Sequence, residues 1–211
     1  MAQVTHGIRA ILSSPLFYSL FQRLVGAERF RRLFVERELP KGKGMRLLDI
    51  GCGPADLLAH LPDDWSYFGF DASGAYIEQA RRRFGSRGHF QARLLDEAVI
   101  DELEGFDVVL AIGLLHHLDD AQAVRLFRLA WQALKPGGIC ITVDPVWHEH
   151  QHALARWIIA RDRGQNVRDE CSYRRLAMQV FDRVNSHVHQ DMMLIPYSHL
   201  IMRASKPQAS S

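Results

Sequence analysis

The sequence predicts an α/β fold in which a doubly wound, mostly parallel sheet carries helices on both faces. Three observations lead there. Short apolar runs alternate with amphipathic stretches from Met45 to Asp144. One run, Phe106–Ile112, is almost wholly apolar, the mark of a strand covered on both sides. A glycine turn follows the first run, as a tight strand-to-helix connection needs. A chain of 211 residues suffices for one such domain and is short for two. A single domain over 1–211 is therefore expected. N-terminal helices would occupy 1–44, a core 45–145, a helical cap 146–183 and a terminal hairpin 184–205.

The elements follow in order. Ser13-Ser14-Pro15 reads as a helix start, and Phe17, Leu20, Phe21 and Leu24 recur at helical spacing until Gly26. A second helix runs through Phe30, Leu33, Phe34 and Val35, and Pro40–Gly44 is a loop. Strands are expected at Arg46–Ile50, Trp65–Phe70, His89–Leu94, Phe106–Ile112 and Ile139–Val143. Helices are expected at Pro54–Leu61, Ser73–Phe84 and Asp119–Leu134, the last with an acidic start. Beyond Asp144 the pattern weakens. His150–Ala160 and Tyr173–Phe181 read as helices. Val184–Leu194 and Tyr197–Ala204 read as an antiparallel C-terminal hairpin around Pro196.

Composition narrows the function classes. A formal net charge of +2 gives no basic field for nucleic acid, so no nucleic-acid partner is expected. No apolar run is long enough to span a bilayer, and the N-terminus lacks the order of a signal peptide. Cys52, Cys140 and Cys171 show neither paired spacing nor a zinc pattern, which suits a reducing, cytoplasmic setting. Trp147-His148-Glu149-His150-Gln151-His152 is rich in metal-ligating side chains, but its spacing matches no common site. No metal is expected there; a helix start lining the substrate mouth is.

The chemistry concentrates at Leu47-Leu48-Asp49-Ile50-Gly51-Cys52-Gly53-Pro54-Ala55-Asp56. Glycines at such a turn let a ligand approach the main chain. The third glycine of a dinucleotide fingerprint would fall at position 56, where the sequence has Asp56. Carboxylates at 49 and 56 disfavour a pyrophosphate and suit a ligand with a cationic end. Asp71, ending the next strand, stands where an acid accepts hydrogen bonds from ribose hydroxyls.

Together with Phe68-Gly69-Phe70-Asp71, Phe106–Leu118 and Leu134-Lys135-Pro136-Gly137-Gly138, this loop resembles the ordered motifs of the class I S-adenosylmethionine-dependent methyltransferases. The resemblance covers roughly positions 45–145 and implies a Rossmann-like sheet, with S-adenosyl-L-methionine as cofactor and S-adenosyl-L-homocysteine as product. It implies that Asp49, Gly51, Cys52 and Gly53 hold the methionine portion. Asp71 would take the ribose hydroxyls and Ala72 would lie beside the adenine. Leu95 and Asp96 would border the adenine, and Ala111 and Gly113 would offer backbone near the amino group. Ala55 departs from the family, many of whose members have a further glycine there; alanine is small enough that little effect is expected.

His116 and His117 follow the fourth strand, at the family's methyl-transfer mouth. Either is a candidate base for a hydroxyl acceptor, with His117 preferred because the family's pattern is similar there. The alternative is that they pack and cap the next helix. Substrate contacts are expected from His148, Arg163, Arg168, Tyr197 and His199, the arginines as partners for an acceptor carboxylate or phosphate. Position 112–115 reads Ile-Gly-Leu-Leu, without the Asn/Asp-Pro-Pro-aromatic motif of base-amine methyltransferases. The expected acceptor is accordingly a small molecule, a lipid-linked intermediate or a sugar, in a biosynthetic setting. The alternatives are an NAD-dependent oxidoreductase and a non-catalytic cofactor-binding module on the same fold.

Overall fold

The computed structural model describes residues 26–103, 105–161 and 164–209. The expected helix from Ser13 lies outside them. The elements run α1 Ala27–Arg37, β1 Arg46–Ile50, β2 Ser66–Phe70, α2 Gly74–Phe84, β3 Gly88–Gln91, α3 Glu97–Asp101 and β4 Phe106–Ile112. They continue as α4 Asp120–Ala133, β5 Leu134–Trp147, α5 Ala153–Ile159, β6 Arg168–Asp169, α6 Glu170–Ala177, β7 Arg183–His189 and β8 His199–Ser205.

The sheet order is β3-β2-β1-β4-β5-β8-β7, with β6 pairing β5 at its far end. Strands β1 to β5 are parallel, whereas β8 runs antiparallel to both β5 and β7. The order reverses between β1 and β4, which opens a crevice at their C-terminal ends. Alternation along the strands fills two cores. Leu48, Ile50, Val109 and Ala111 face one core with Leu126, Phe127 and Ala130 of α4 and Tyr173 and Leu176 of α6. Leu47, Val108 and Leu110 face the other with Phe30, Leu33 and Phe34 of α1 and Ile77 of α2. Val108, Val109, Leu110 and Ala111 are all fully buried, as the apolar run predicts. Each buried Val or Leu contributes about 1.5–3 kcal/mol.

Several boundaries differ from expectation. Pro54–Leu61 is not an α-helix; only a 3₁₀ turn forms, at Asp56–His60. Its entry residue Ala55 sits at φ 56°, ψ 35°, a left-handed conformation that starts a turn rather than an α-helix. Strand β5 is longer than Ile139–Val143. Leu134 pairs with Phe106, Lys135–Gly138 bulge out, and pairing resumes at Ile139. Helix α4 opens on a reciprocal cap between Asp119 and Gln122. Between positions 146 and 183, α6 packs beside α4 on the sheet face, while the loop at Gly164–Asn166 crosses over His116. No helix among the described residues is long and apolar enough to cross a membrane.

Candidate active site

At the C-terminal ends of β1, β4 and β5 lies a cavity of about 340 Å³. Its floor is built by Asp49, Gly51, Cys52 and Gly53 from the turn after β1, Gly113 and His116 from beyond β4, and Asp144 from β5. Phe30 and Arg31 of α1 and Met193, Tyr197 and His199 of the hairpin wall it in.

The turn after β1 is fixed by backbone bonds, since the amides of Gly51 and Cys52 donate to the carbonyl of Phe70. Gly51 and Gly53 adopt φ of 74° and 56°, a region that disfavours side chains, and a Cβ on Gly53 would project into open space. Asp71 braces the turn from β2. Its Oδ2 accepts from the Gly53 amide at 2.9 Å and its Oδ1 from the Ser73 amide at 2.7 Å. Asp49 is buried, and its Oδ2 accepts from the Tyr67 hydroxyl at 2.6 Å. Burial raises the Asp49 carboxyl to about 6, partly offset by that hydrogen bond.

The other end of the cavity holds a pair that the sequence conceals. His116 is buried, and its Nδ1 lies 2.7 Å from Asp144 Oδ1, which also accepts from the His116 amide at 3.1 Å. Asp144 is 2% exposed, and its Oδ2 has no hydrogen-bond partner. Burial pushes its carboxyl up while the His116 contacts pull it down. The carbonyl of His116 is tied to the Asn166 amide at 3.0 Å, and Gly164 lies so close to the His116 ring that a Cβ would overlap it. His116 is thus clamped from both sides, with Nε2 as the ring nitrogen not spent on Asp144. His117 is exposed, with its ring 4.0 Å from that of His116.

The remaining expected residues separate. Tyr197 and His199 join the cavity wall, where His199 stacks on Phe30 at 5.0 Å and faces Tyr197 at 4.7 Å. Burial, with His189 nearby, lowers His199 to about 3 and keeps it neutral. Ala72 is exposed beyond β2, and Leu95 and Ala111 are buried in the core, all away from the cavity lining. Asp96 caps α3 through the Val99 amide. His148 lines a separate groove with Trp147 and Arg174. Arg168 is also away from the cavity. Its guanidinium is bonded to Asp120 and to the carbonyls of Leu115, Leu118 and Asn166, so it braces the His116 loop. Arg163 lies outside the described residues. Asp56 does not present a bare carboxylate as the sequence suggests. It pairs with Arg31 at 2.7 Å and with Arg83, clipping α1 and α2 to the turn. Among the described residues no group of three or more His, Cys, Asp or Glu is placed to hold a metal ion.

Reversed strand order, a glycine turn after β1, an acid ending β2 and an antiparallel final hairpin together make a Rossmann-like sheet. Residues 48–140 match the family described as a methyltransferase domain. Over that segment the chain is similar to methyltransferases. It is 31% identical over 136 residues to an uncharacterized methyltransferase of Synechocystis sp., covering 62% of this chain and 63% of that protein. It is 36% identical over 104 residues to a ubiquinone biosynthesis O-methyltransferase of Chelativorans sp., covering 46% and 39%. The chain thus spans less than two thirds of the length of these curated relatives. In fold it is similar to phosphoethanolamine N-methyltransferase 2 of Haemonchus contortus in complex with S-adenosyl-L-methionine. The TM-score is 0.65 at 17% identity, over 96% of this chain and 60% of that one.

Proposed function

We propose that the protein transfers a methyl group from S-adenosyl-L-methionine to a hydroxyl of a small-molecule, lipid-linked or sugar acceptor, with His116 as general base. The observation that carries this reading is one cavity holding both the glycine turn and the buried His116–Asp144 pair. The turn fits the cofactor's methionine end. Gly53 leaves room beside the main chain, and buried Asp49 offers a carboxylate to an ammonium group. Asp71 retains lone pairs for ribose hydroxyls after its two backbone contacts.

The bound cofactor supplies an electrophilic methyl on a sulfonium, so the protein's work is positioning and proton removal. His116 Nε2 would take the proton of the acceptor's hydroxyl as that oxygen is methylated. Asp144, bonded to Nδ1, holds the ring orientation and stabilises the imidazolium. His117, exposed beside it, is the weaker candidate.

The test has two stages. Calorimetry with S-adenosylmethionine, S-adenosylhomocysteine and NAD should show binding of the first two alone. With an acceptor found by screening, His116→Ala should lower turnover by ~10²–10⁴-fold with cofactor affinity kept, and His117→Ala should not. Wild-type turnover should fall as acid protonates Nε2. A His116→Ala protein with normal turnover on a hydroxyl acceptor would remove His116 from the chemistry.

A further inference from the structure

The acceptor end of the cavity has a definite polarity. The cavity's lining includes the apolar residues Phe30, Leu57, Ile112, Val143 and Met193, together with Tyr197. Asp144 contributes a buried carboxylate whose Oδ2 meets no donor from the protein. Such an oxygen is satisfied by a neutral hydroxyl and repels a second anion.

Besides His116, whose Nδ1 lies 2.7 Å from Asp144 Oδ1 and which is neutral when it serves as base, the cations that would counter it are committed. Among the described residues, Arg31 is the lysine or arginine on the lining. It meets Asp56 Oδ2 at 2.7 Å and Glu28 Oε2 at 3.7 Å, while Asp56 Oδ1 also holds Arg83. Two guanidinium groups therefore face two carboxylates and balance. Arg168 is bonded to Asp120 and three carbonyls outside the lining. His199 is kept neutral by burial. Asp49, at the cofactor end, adds a second buried carboxylate.

We propose that the acceptor is an uncharged, largely apolar molecule bearing a hydroxyl, and that Asp144 makes the cavity reject acceptors with a carboxylate or phosphate beside the reacting atom. The proposal rests on the methyltransferase reading above and narrows its substrate class. It replaces the expectation that Arg168 recognises an anionic acceptor.

The test compares pairs of compounds that differ in one charge: 3-hydroxybenzoate against its methyl ester, and 3-hydroxyoctanoate against its methyl ester. Binding to the full chain saturated with S-adenosylhomocysteine is measured by calorimetry at pH 7, where both acids are ionised. The esters should bind roughly 100-fold more tightly than the acids, the scale of a close like-charge contact. Asp144→Asn should shrink that ratio towards one, and Phe30→Ala should weaken ester and acid alike. Equal or tighter binding of the acids overturns the proposal, as does failure of both esters to bind while the cofactor product binds. An Asp144→Asn protein that folds and keeps the full ratio also overturns the assignment to Asp144; if that variant does not fold, the wild-type ratio decides. If S-adenosylhomocysteine itself does not bind, the methyltransferase reading falls. The ratio measured on the protein alone then still decides the charge preference.

Discussion

Asp49→Asn should make the protein more stable and worse at holding its cofactor. The Asp49 carboxyl is buried and raised from 3.8 to about 6. The folded state therefore keeps its proton more strongly than the unfolded chain does. Its contribution to stability is fully present below about pH 4 and is lost as the pH rises to 6 and beyond. The separation of roughly two pKa values corresponds to about 3 kcal/mol at most. Asparagine carries no charge to bury, and its carbonyl still accepts from the Tyr67 hydroxyl. Urea unfolding of both proteins without cofactor, from pH 4.5 to 8, should give a stability gap that opens with pH and levels off above 6. Calorimetry at pH 8 should show the variant binding S-adenosylmethionine at least about tenfold more weakly, because an ammonium loses a charged partner. A gap that stays flat with pH, or one that favours wild type at pH 8, would refute the reasoning that Asp49 is held for binding at a cost in stability.

Gly164→Ala should displace the His116 ring or its loop, since a Cβ there overlaps the imidazole. Steady-state assays should show turnover falling with cofactor affinity kept, and unchanged turnover would mean the loop yields freely. Asp71→Ala loses two amide contacts made to a charged group. Cofactor affinity should weaken by about 1.5–3 kcal/mol, the range for one such bond, and unchanged affinity in the folded variant would remove Asp71 from the site. Ala55→Gly relieves a left-handed alanine but removes a buried methyl. These effects are of order 1–2 and 0.8 kcal/mol, and glycine's extra chain entropy adds about 0.5–1. Melting should show a net change under about 1 kcal/mol; a loss above about 2 would mean the methyl matters more than the backbone.

The sheet was legible because its signals are local. The apolar runs at 46–50 and 106–112 have the bounds of β1 and β4, and Asp119 with Gln122 marks the start of α4 by spacing alone. Pro54–Leu61 misled because its helical spacing says nothing of the backbone twist at Ala55. Asp144 went unassigned for a different reason. It and His116 are 28 positions apart, and only the parallel register that sets Ile112 beside Val143 brings them together. A signal existed nonetheless, since an acid directly after the expected strand Ile139–Val143 is placed by the doubly wound strand order at the crevice shared with its neighbour. Arg168 shows the reverse. Its sequence context is an exposed polar loop, yet the chain folds four acceptor groups around it.

The stacking of Phe30 on His199 ties α1 to β8 across nearly the whole described chain. It also dictates an order of assembly. The longest-range pairing within β1 to β5 joins β1 to β4, Leu47 opposite Val108, whereas the acceptor wall exists only once Phe30 of α1 meets His199 of β8, near the other end of the described chain. Such a non-local closure is slow, because the loop entropy is spent before any contact rewards it. A refolding chain should therefore regain the glycine turn, and with it affinity for the cofactor, before it regains a place for the molecule to be methylated. The two halves of the site would then mature at different times, and folding intermediates would bind the methyl donor without being able to use it.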